Sequence, residues 1–293
     1  MEKVLITGGA GFVGTALIKK LLRKYKNIQI VSIDNYSSGY KSNHVKSKRV
    51  TYFNKDTQTL IPQNKSKDIA NSFEPDIVFH FGEFSRIVTS FDAFDNCWDY
   101  NMQGTKMVLD YCVAKKAKLI YSASSSKFGN DGKDENLSPY AWMKSKMVEL
   151  INNYAEWFGL KFEVVYFYNV YGPKQIRKGS MASVIGIFEY HYLKGLPLPV
   201  VSPGTQTRRF THIDDTIKVC IEAWKKNKNL HYSISSKELF SIKQVAKMFG
   251  GEIKYLPKRP GERYASALTK MSLSNKVHKR FGQIKLSNYI KQL

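Results

Sequence analysis

Short apolar runs alternate with helix-like segments through the first half of the chain. Val4 to Thr7, Ile28 to Asp34 and Val50 to Asn54 read as strands, with Ala16 to Tyr25 as a helix between the first two. Asp76 to Phe81 (Asp-Ile-Val-Phe-His-Phe) reads as a buried strand and leads into a long helix ending near Lys116. Lys118 to Ser122 and Phe162 to Tyr168 add two strands, separated by a helix over Tyr140 to Phe158. Parallel strands buried on both faces are near-continuous apolar runs, and strand–helix alternation covers such a sheet on both sides. The expected class is therefore α/β, built on a doubly wound parallel sheet. After Gly172 the rhythm changes. Pro173, Pro197, Pro199 and Pro203 interrupt it, and helices are expected over Ala182 to Leu193, Ile213 to Trp224 and Ser241 to Phe249. The tail from Lys258 reads as a basic loop until a short terminal helix. This divides the chain into a larger unit over 1–172, with a return segment near 208–226, and a smaller α/β lobe over 173–293.

Composition narrows the picture. With 43% hydrophobic residues in 293, the chain can bury a sizeable core. The short apolar run before the first glycines gives no expectation of a secretory leader. No apolar stretch approaches the roughly 20 residues that span a bilayer, so no membrane association is expected. Cys97, Cys112 and Cys220 are scattered, with no CxxC, which suits reduced thiols, a cytoplasmic location and no metal site. The formal net charge of +22 would suit an anionic partner. That excess comes from 37 Lys and only 9 Arg. Nucleic-acid readers favour the forked guanidinium, so nucleic-acid binding is disfavoured. A solvated surface and general attraction of an anionic substrate account for the charge better.

The most specific chemistry lies at the first strand–helix turn. Thr7-Gly8-Gly9-Ala10-Gly11-Phe12-Val13-Gly14 contains GxGxxG at Gly9, Gly11 and Gly14 and GxxGxxG at Gly8, Gly11 and Gly14. Such glycines turn the chain tightly, let backbone approach a pyrophosphate and pack helix on strand. The pyrophosphate then meets the N–H groups at a helix N-terminus. Asp34 closes the second strand 20 residues after Gly14, where a carboxylate binds an adenosine ribose 2′-hydroxyl and repels a 2′-phosphate. NAD is therefore expected over NADP on a Rossmann-type sheet.

Tyr-x-x-x-Lys occurs at Tyr111/Lys115, Tyr140/Lys144 and Tyr190/Lys194, about what chance gives with 18 Tyr and 37 Lys, so context must choose. Tyr140 follows Ser138-Pro139, a helix-opening pair, and lies shortly after Tyr121 to Ser126, which runs off a strand's C-terminal end. Four residues apart on a helix, Tyr140 and Lys144 share a face. An ammonium beside a phenol would lower its pKa from ~10 toward neutrality and make Tyr140 a base for a sugar hydroxyl.

With these residues in place the chain resembles the extended short-chain dehydrogenase/reductases, in their nucleotide-sugar epimerase branch, close to the UDP-glucose/UDP-galactose 4-epimerases. The resemblance rests on Thr7 to Gly14, Asp34-Asn35, Asp76 to Phe81, Asn101 to Thr105, Tyr121 to Gly129, Tyr140 to Lys144, Asn169 to Pro173, Gly204 to Phe210 and Arg259 to Glu262. It implies that Ser124 is the catalytic hydroxyl, Tyr140 the base, and Lys144 its partner and a nicotinamide-ribose ligand. It further implies cofactor contacts from Asn35, Ser37, Asp56, Thr57, Phe81, Gly82, Ser122 and Phe167, besides Gly8, Gly11, Phe12, Val13, Gly14 and Asp34. Ser125, Asn169 and Glu83 would meet the sugar nucleotide, and Arg208 and Arg259 its diphosphate. The smaller lobe would bind this substrate, a UDP-hexose in the first instance.

In the family's 4,6-dehydratases an Asp-Glu pair follows the catalytic hydroxyl, and its decarboxylases keep the Glu. Here Ser125 and Ser126 occupy those positions, which leaves hydride removal and return through a keto sugar. Three residues depart from the pattern: Glu83 stands where a small residue is usual, Arg209 replaces an Asp and Phe128 a Tyr. A heptose 6-epimerase, a 4,6-dehydratase, a 4-ketoreductase or a non-catalytic NAD-binding protein remain as alternatives. The family usually forms a homodimer through the helices here placed at Trp98–Lys116 and Tyr140–Phe158, and surface-polysaccharide precursor synthesis is its common setting.

Overall fold

The computed structural model describes residues 1–61, 69–259, 261 and 277–293. Eight strands form one sheet: β1 (Glu2–Thr7), β2 (Ile28–Asp34), β3 (Val50–Asn54), β4 (Ile77–His80), β5 (Lys118–Ser124), β6 (Phe162–Phe167), and the strands His231–Ser235 and Val277–Phe281. Their spatial order is β3, β2, β1, β4, β5, β6, His231–Ser235, Val277–Phe281, and every pairing is parallel. The chain thus leaves β1 in both directions, and a crevice opens between the C-terminal ends of β1 and β4.

Alternation along β1 shows why both faces are covered. Val4 and Ile6 pack with Leu17, Ile18 and Leu21 of the Phe12–Lys24 helix and Ile217 of the Ile213–Trp224 helix. Leu5 faces the other way, into a layer with Val78, Leu119, Val108 and Ile151. Successive strand residues point to opposite faces, so a strand that is apolar throughout needs a helix on each. A third cluster, including Tyr171, Phe188, Val200, Phe210, Val245 and Tyr289, forms a separate core built mostly from the C-terminal part of the chain. No described helix is long and apolar enough to cross a membrane.

Two expectations are corrected. The long helix before Lys116 is instead Thr89–Asp92, Phe94–Trp98, a wide π-helical turn over Asp99–Gln103, and Gly104–Lys115. The wide turn lets the buried Asn101 side chain accept from Phe84 N (2.7 Å) and donate to Phe84 O (3.1 Å), a tertiary demand that helical periodicity does not reveal. The chain's return to the large sheet also exceeds 208–226, because His231–Ser235 and Val277–Phe281 extend it. Both strands carry polar and basic residues that mask an apolar run, as His-Tyr-Ser-Ile-Ser and Val-His-Lys-Arg-Phe show. The rest of the loop expected after Lys258 lies largely outside the described residues.

A buried ion pair ties the returning helix to the sheet. Lys118 Nζ donates to the carbonyls of Ala223 (2.8 Å) and Trp224 (3.0 Å) at the helix C-terminus and lies 3.5 Å from Glu163. Glu163 accepts from Lys228 N (3.0 Å) and Leu230 N (2.8 Å). Burial pulls the Lys118 ammonium down to about 8. Glu163→Gln removes the counter-charge and turns an amide N–H₂ toward a backbone donor. A loss of about 3 kcal/mol of unfolding free energy is expected, in the range for breaking a buried pair. Denaturant unfolding at neutral pH checks it, and a change under 1 kcal/mol would mean that the pair carries little.

Candidate active site

The glycine-rich turn is shaped by close approach. Gly8 has φ +71°, and a Cβ there would lie 2.8 Å from the Phe81 carbonyl and Gly82 N. At Gly14 a Cβ would lie 2.2 Å from Gly8 O. Gly11 caps the Phe12–Lys24 helix without a side-chain bond, and no acidic residue stands in its first turn. The first-turn N–H groups are thereby left for an anion. Beside the turn, Asp34 at the end of β2 accepts from Ala10 N (2.9 Å) and Tyr36 N (2.8 Å). Burial raises its carboxyl above the usual range, against the pull of these N–H groups.

Two adjoining cavities gather the residues expected from the sequence. The smaller is lined by Gly8, Gly11, Asp34, Asn35, Ser37, Asp56, Thr57, Phe81 and Gly82. There Asn35 Nδ2 donates to Asp56 Oδ1 (2.5 Å) and Ser37 N to Asn35 Oδ1 (3.0 Å), which fixes the floor. The larger, of about 700 Å³, includes Phe12, Val13, Gly14, Ser122, Ser124, Ser125, Tyr140, Lys144, Phe167, Asn169, Arg208 and Arg259. Its size suits a small-molecule site. Glycines that a side chain would clash with, an acceptor-free helix N-terminus and a carboxylate at the strand end together fit a dinucleotide. Among the described residues no group of His, Cys, Asp and Glu could hold a metal ion.

At the other end of the large cavity, Ser138 opens the Pro139–Phe158 helix by accepting from Ala141 N (3.1 Å). Tyr140 N donates to Ser90 Oγ (3.2 Å), and the Ser124 hydroxyl lies near enough to the phenol to favour its ionised form. Ser124 Oγ also accepts from Ser126 Oγ (2.8 Å) and Ser126 N (3.2 Å).

Glu83 behaves otherwise than expected. Its side chain is only 3% exposed and ion-pairs with Lys144, which is 5% exposed. The Lys144 ammonium also donates to Ser122 O and sits 4.1 Å from the centre of the Tyr121 ring. Glu83 Oε1 accepts from Tyr121 OH (2.9 Å) and Thr105 Oγ1 (3.2 Å). The carboxylate is spent on protein donors, not aimed at a sugar.

The hydrogen-bond directions behind Glu83 follow from counting donors. Thr7 Oγ1 accepts from Phe81 N (3.1 Å) and Gly82 N (3.0 Å), so its own proton goes to His80 Nδ1, 2.7 Å away. Burial lowers His80 to about 4, so the ring is neutral at neutral pH. Its proton must then sit on Nε2, donated to Thr105 Oγ1 at 2.9 Å, and Thr105 passes its own to Glu83. One chain of hydrogen bonds therefore runs from the glycine-rich turn to the lysine's counter-ion. Sequence reasoning missed His80 and Tyr121 in this role, because both read as ordinary strand residues.

The phenol is accordingly not lowered toward neutrality in this state. Burial, with Glu83 adding to it, pushes Tyr140 up to about 12, against the Ser124 hydroxyl and the charge of Arg86. Arg86, also missed from the sequence, donates to Ser85 O (2.7 Å) and to Met181 O, and lines the large cavity. Arg209 turns away, donating to Ser236 O (3.1 Å), while its own carbonyl accepts from Asn169 Nδ2 (2.9 Å). Phe128 packs edge-on against Tyr166 at 4.6 Å.

Comparison with known proteins adds four findings. Residues 4–235 match the model of the NAD dependent epimerase/dehydratase family. A putative UDP-glucose 4-epimerase of Methanocaldococcus jannaschii is 30% identical over 279 residues, covering 89% of this chain and 88% of the relative. A UDP-N-acetyl-alpha-D-glucosaminuronate decarboxylase of Bacillus cytotoxicus is 28% identical, covering 84% and 78%. The crystal structure of a UDP-glucose 4-epimerase from Thermotoga maritima superposes with a TM-score of 0.81 at 22% identity, covering 99% of this chain and 96% of that one.

Proposed function

This chain belongs to the NAD-dependent epimerase/dehydratase family of nucleotide-sugar enzymes, and from that premise we propose that it is a UDP-hexose 4-epimerase. NAD is its cofactor and supplies a hydride acceptor and donor at the sugar carbon. Gly8, Gly11 and Gly14 would take the pyrophosphate and Asp34 the adenosine ribose. Lys144, fixed by Glu83 and Ser122 O, would hold the nicotinamide ribose. Ser124 Oγ positions the reacting sugar oxygen, and Tyr140 Oη takes its proton as the carbon becomes a ketone, then returns it. Asn169, Arg208 and Arg259, along the large cavity, would hold the nucleotide diphosphate, a task that suits forked guanidinium groups.

The observation that carries epimerisation over elimination is the state of Glu83. It is the sole carboxylate among the described residues lining the large cavity, and it is bound to Lys144. Elimination of water needs a further acid and base on the sugar, and Ser125 and Ser126 supply neither. The test is chromatography with mass spectrometry after incubation with a panel of nucleotide sugars. A new peak of unchanged mass supports the reading and names the sugar. Loss of water or carbon dioxide would overturn it in favour of a dehydratase or decarboxylase, and stoichiometric NADH consumption in favour of a reductase.

A further inference from the structure

Charges around the proposed base are not distributed as Tyr-x-x-x-Lys suggests. Lys144 has its charge balanced at contact distance by Glu83, and what the pair leaves at the phenol opposes ionisation. Arg86 differs. Its guanidinium is held by the carbonyls of Ser85 and Met181 and by Ser85 Oγ (3.3 Å), and its Nε–H is buried without a partner. No carboxylate pairs with it among the described residues. A half-buried cation without a counter-ion carries part of the cost of desolvation, and an anion forming nearby offsets it.

The backbone keeps Arg86 close to the base. Ser90 Oγ donates to Ile87 O (2.6 Å), one residue from Arg86, and accepts from Tyr140 N (3.2 Å). Both side chains line the same cavity, and each shifts the other's ionisation in the direction of attraction. The other groups facing the phenol are the Glu83–Lys144 pair, Ser124, the Tyr121 phenol, which burial and Glu83 push well up, and the Cys97 thiol, which burial pushes up to about 12 and keeps neutral.

We propose that Arg86, not Lys144, supplies the positive charge that stabilises the ionised form of Tyr140, with Glu83 confining Lys144 to its place on the strand end. Arg86 is then a positioning residue acting through Tyr140, and the idea rests on Tyr140 being the base. Its origin is visible in the arrangement. The chain places a carboxylate at position 83, which cancels the usual lysine, and a guanidinium three residues later.

The test separates the two ideas by reading Tyr140 directly. Tyrosinate absorbance of NAD-saturated protein is titrated with pH, and the same titration of the matching Tyr140→Phe variant is subtracted. Arg86→Met is expected to raise the Tyr140 midpoint by about one pH unit or more, tenfold in ionisation, and Arg86→Lys to restore most of it. The double variant Glu83→Gln/Lys144→Met, which exchanges one neutral pair for another, is expected to move the midpoint less. The rise of kcat with pH should shift alkaline in Arg86→Met by the same amount. A midpoint that moves in the double variant and stays still in Arg86→Met would overturn the proposal. Full turnover in Tyr140→Phe would instead remove the base assignment, while the titration still reports on Arg86.

Discussion

Tyr140→Phe is expected to lower turnover by about 10²- to 10⁴-fold with NAD still bound, the range for losing a positioned acid/base group. The phenol lies beside the Ser124 hydroxyl, which favours its ionised form, and Ser124 Oγ accepts from Ser126 Oγ (2.8 Å). Phenylalanine fills the same space between Phe84, Cys97 and Met143, so the fold should not suffer. Steady-state kinetics on the sugar found by the panel, with NAD retention measured on the purified variant, gives the answer. Near-normal turnover would remove Tyr140 from the mechanism. Loss of NAD along with activity would make its role structural.

Gly14→Val is expected to weaken NAD binding by more than about 100-fold, since misplacement of a site by some 1 Å can already cost that much. A Cβ at this position would lie 2.2 Å from Gly8 O and 2.7 Å from Gly9 Cα, both backbone atoms with no rotamer to change. The helix start must therefore move away from the turn, and its N–H groups move with it. Titration of the purified variant with NAD, beside far-ultraviolet circular dichroism to verify the sheet, checks this. Wild-type affinity in a folded variant would show that the turn does not hold the pyrophosphate.

The legibility of the chain follows the physics of each feature. Strands β1, β2 and β3 were readable to within two residues, because β1 and β2 are buried for most of their length and so nearly all apolar there, and β3 is a compact run of β-branched and aromatic residues. The strand Val277–Phe281 was not, since at the sheet's edge it need not be apolar and carries His278, Lys279 and Arg280. The Asp99–Gln103 turn was also hidden. It answers to a distant partner, Phe84, and local periodicity has no term for that.

What the sequence determined by itself was which residues line the two ends of the cavity. The glycine spacing with Asp34, and Ser124 with Tyr140 and Lys144, are local patterns whose geometry a strand end or a helix turn dictates. Tertiary structure alone decided how charge is shared among them. Glu83 lies 61 residues from Lys144, and Met181 lies 95 residues from Arg86, so neither pairing leaves a mark in sequence spacing. Such pairings arise only when the β4 end, the Pro139–Phe158 helix and the loop before Val184 close on one buried space. There the low dielectric makes each neighbour's charge count for more than its place along the chain.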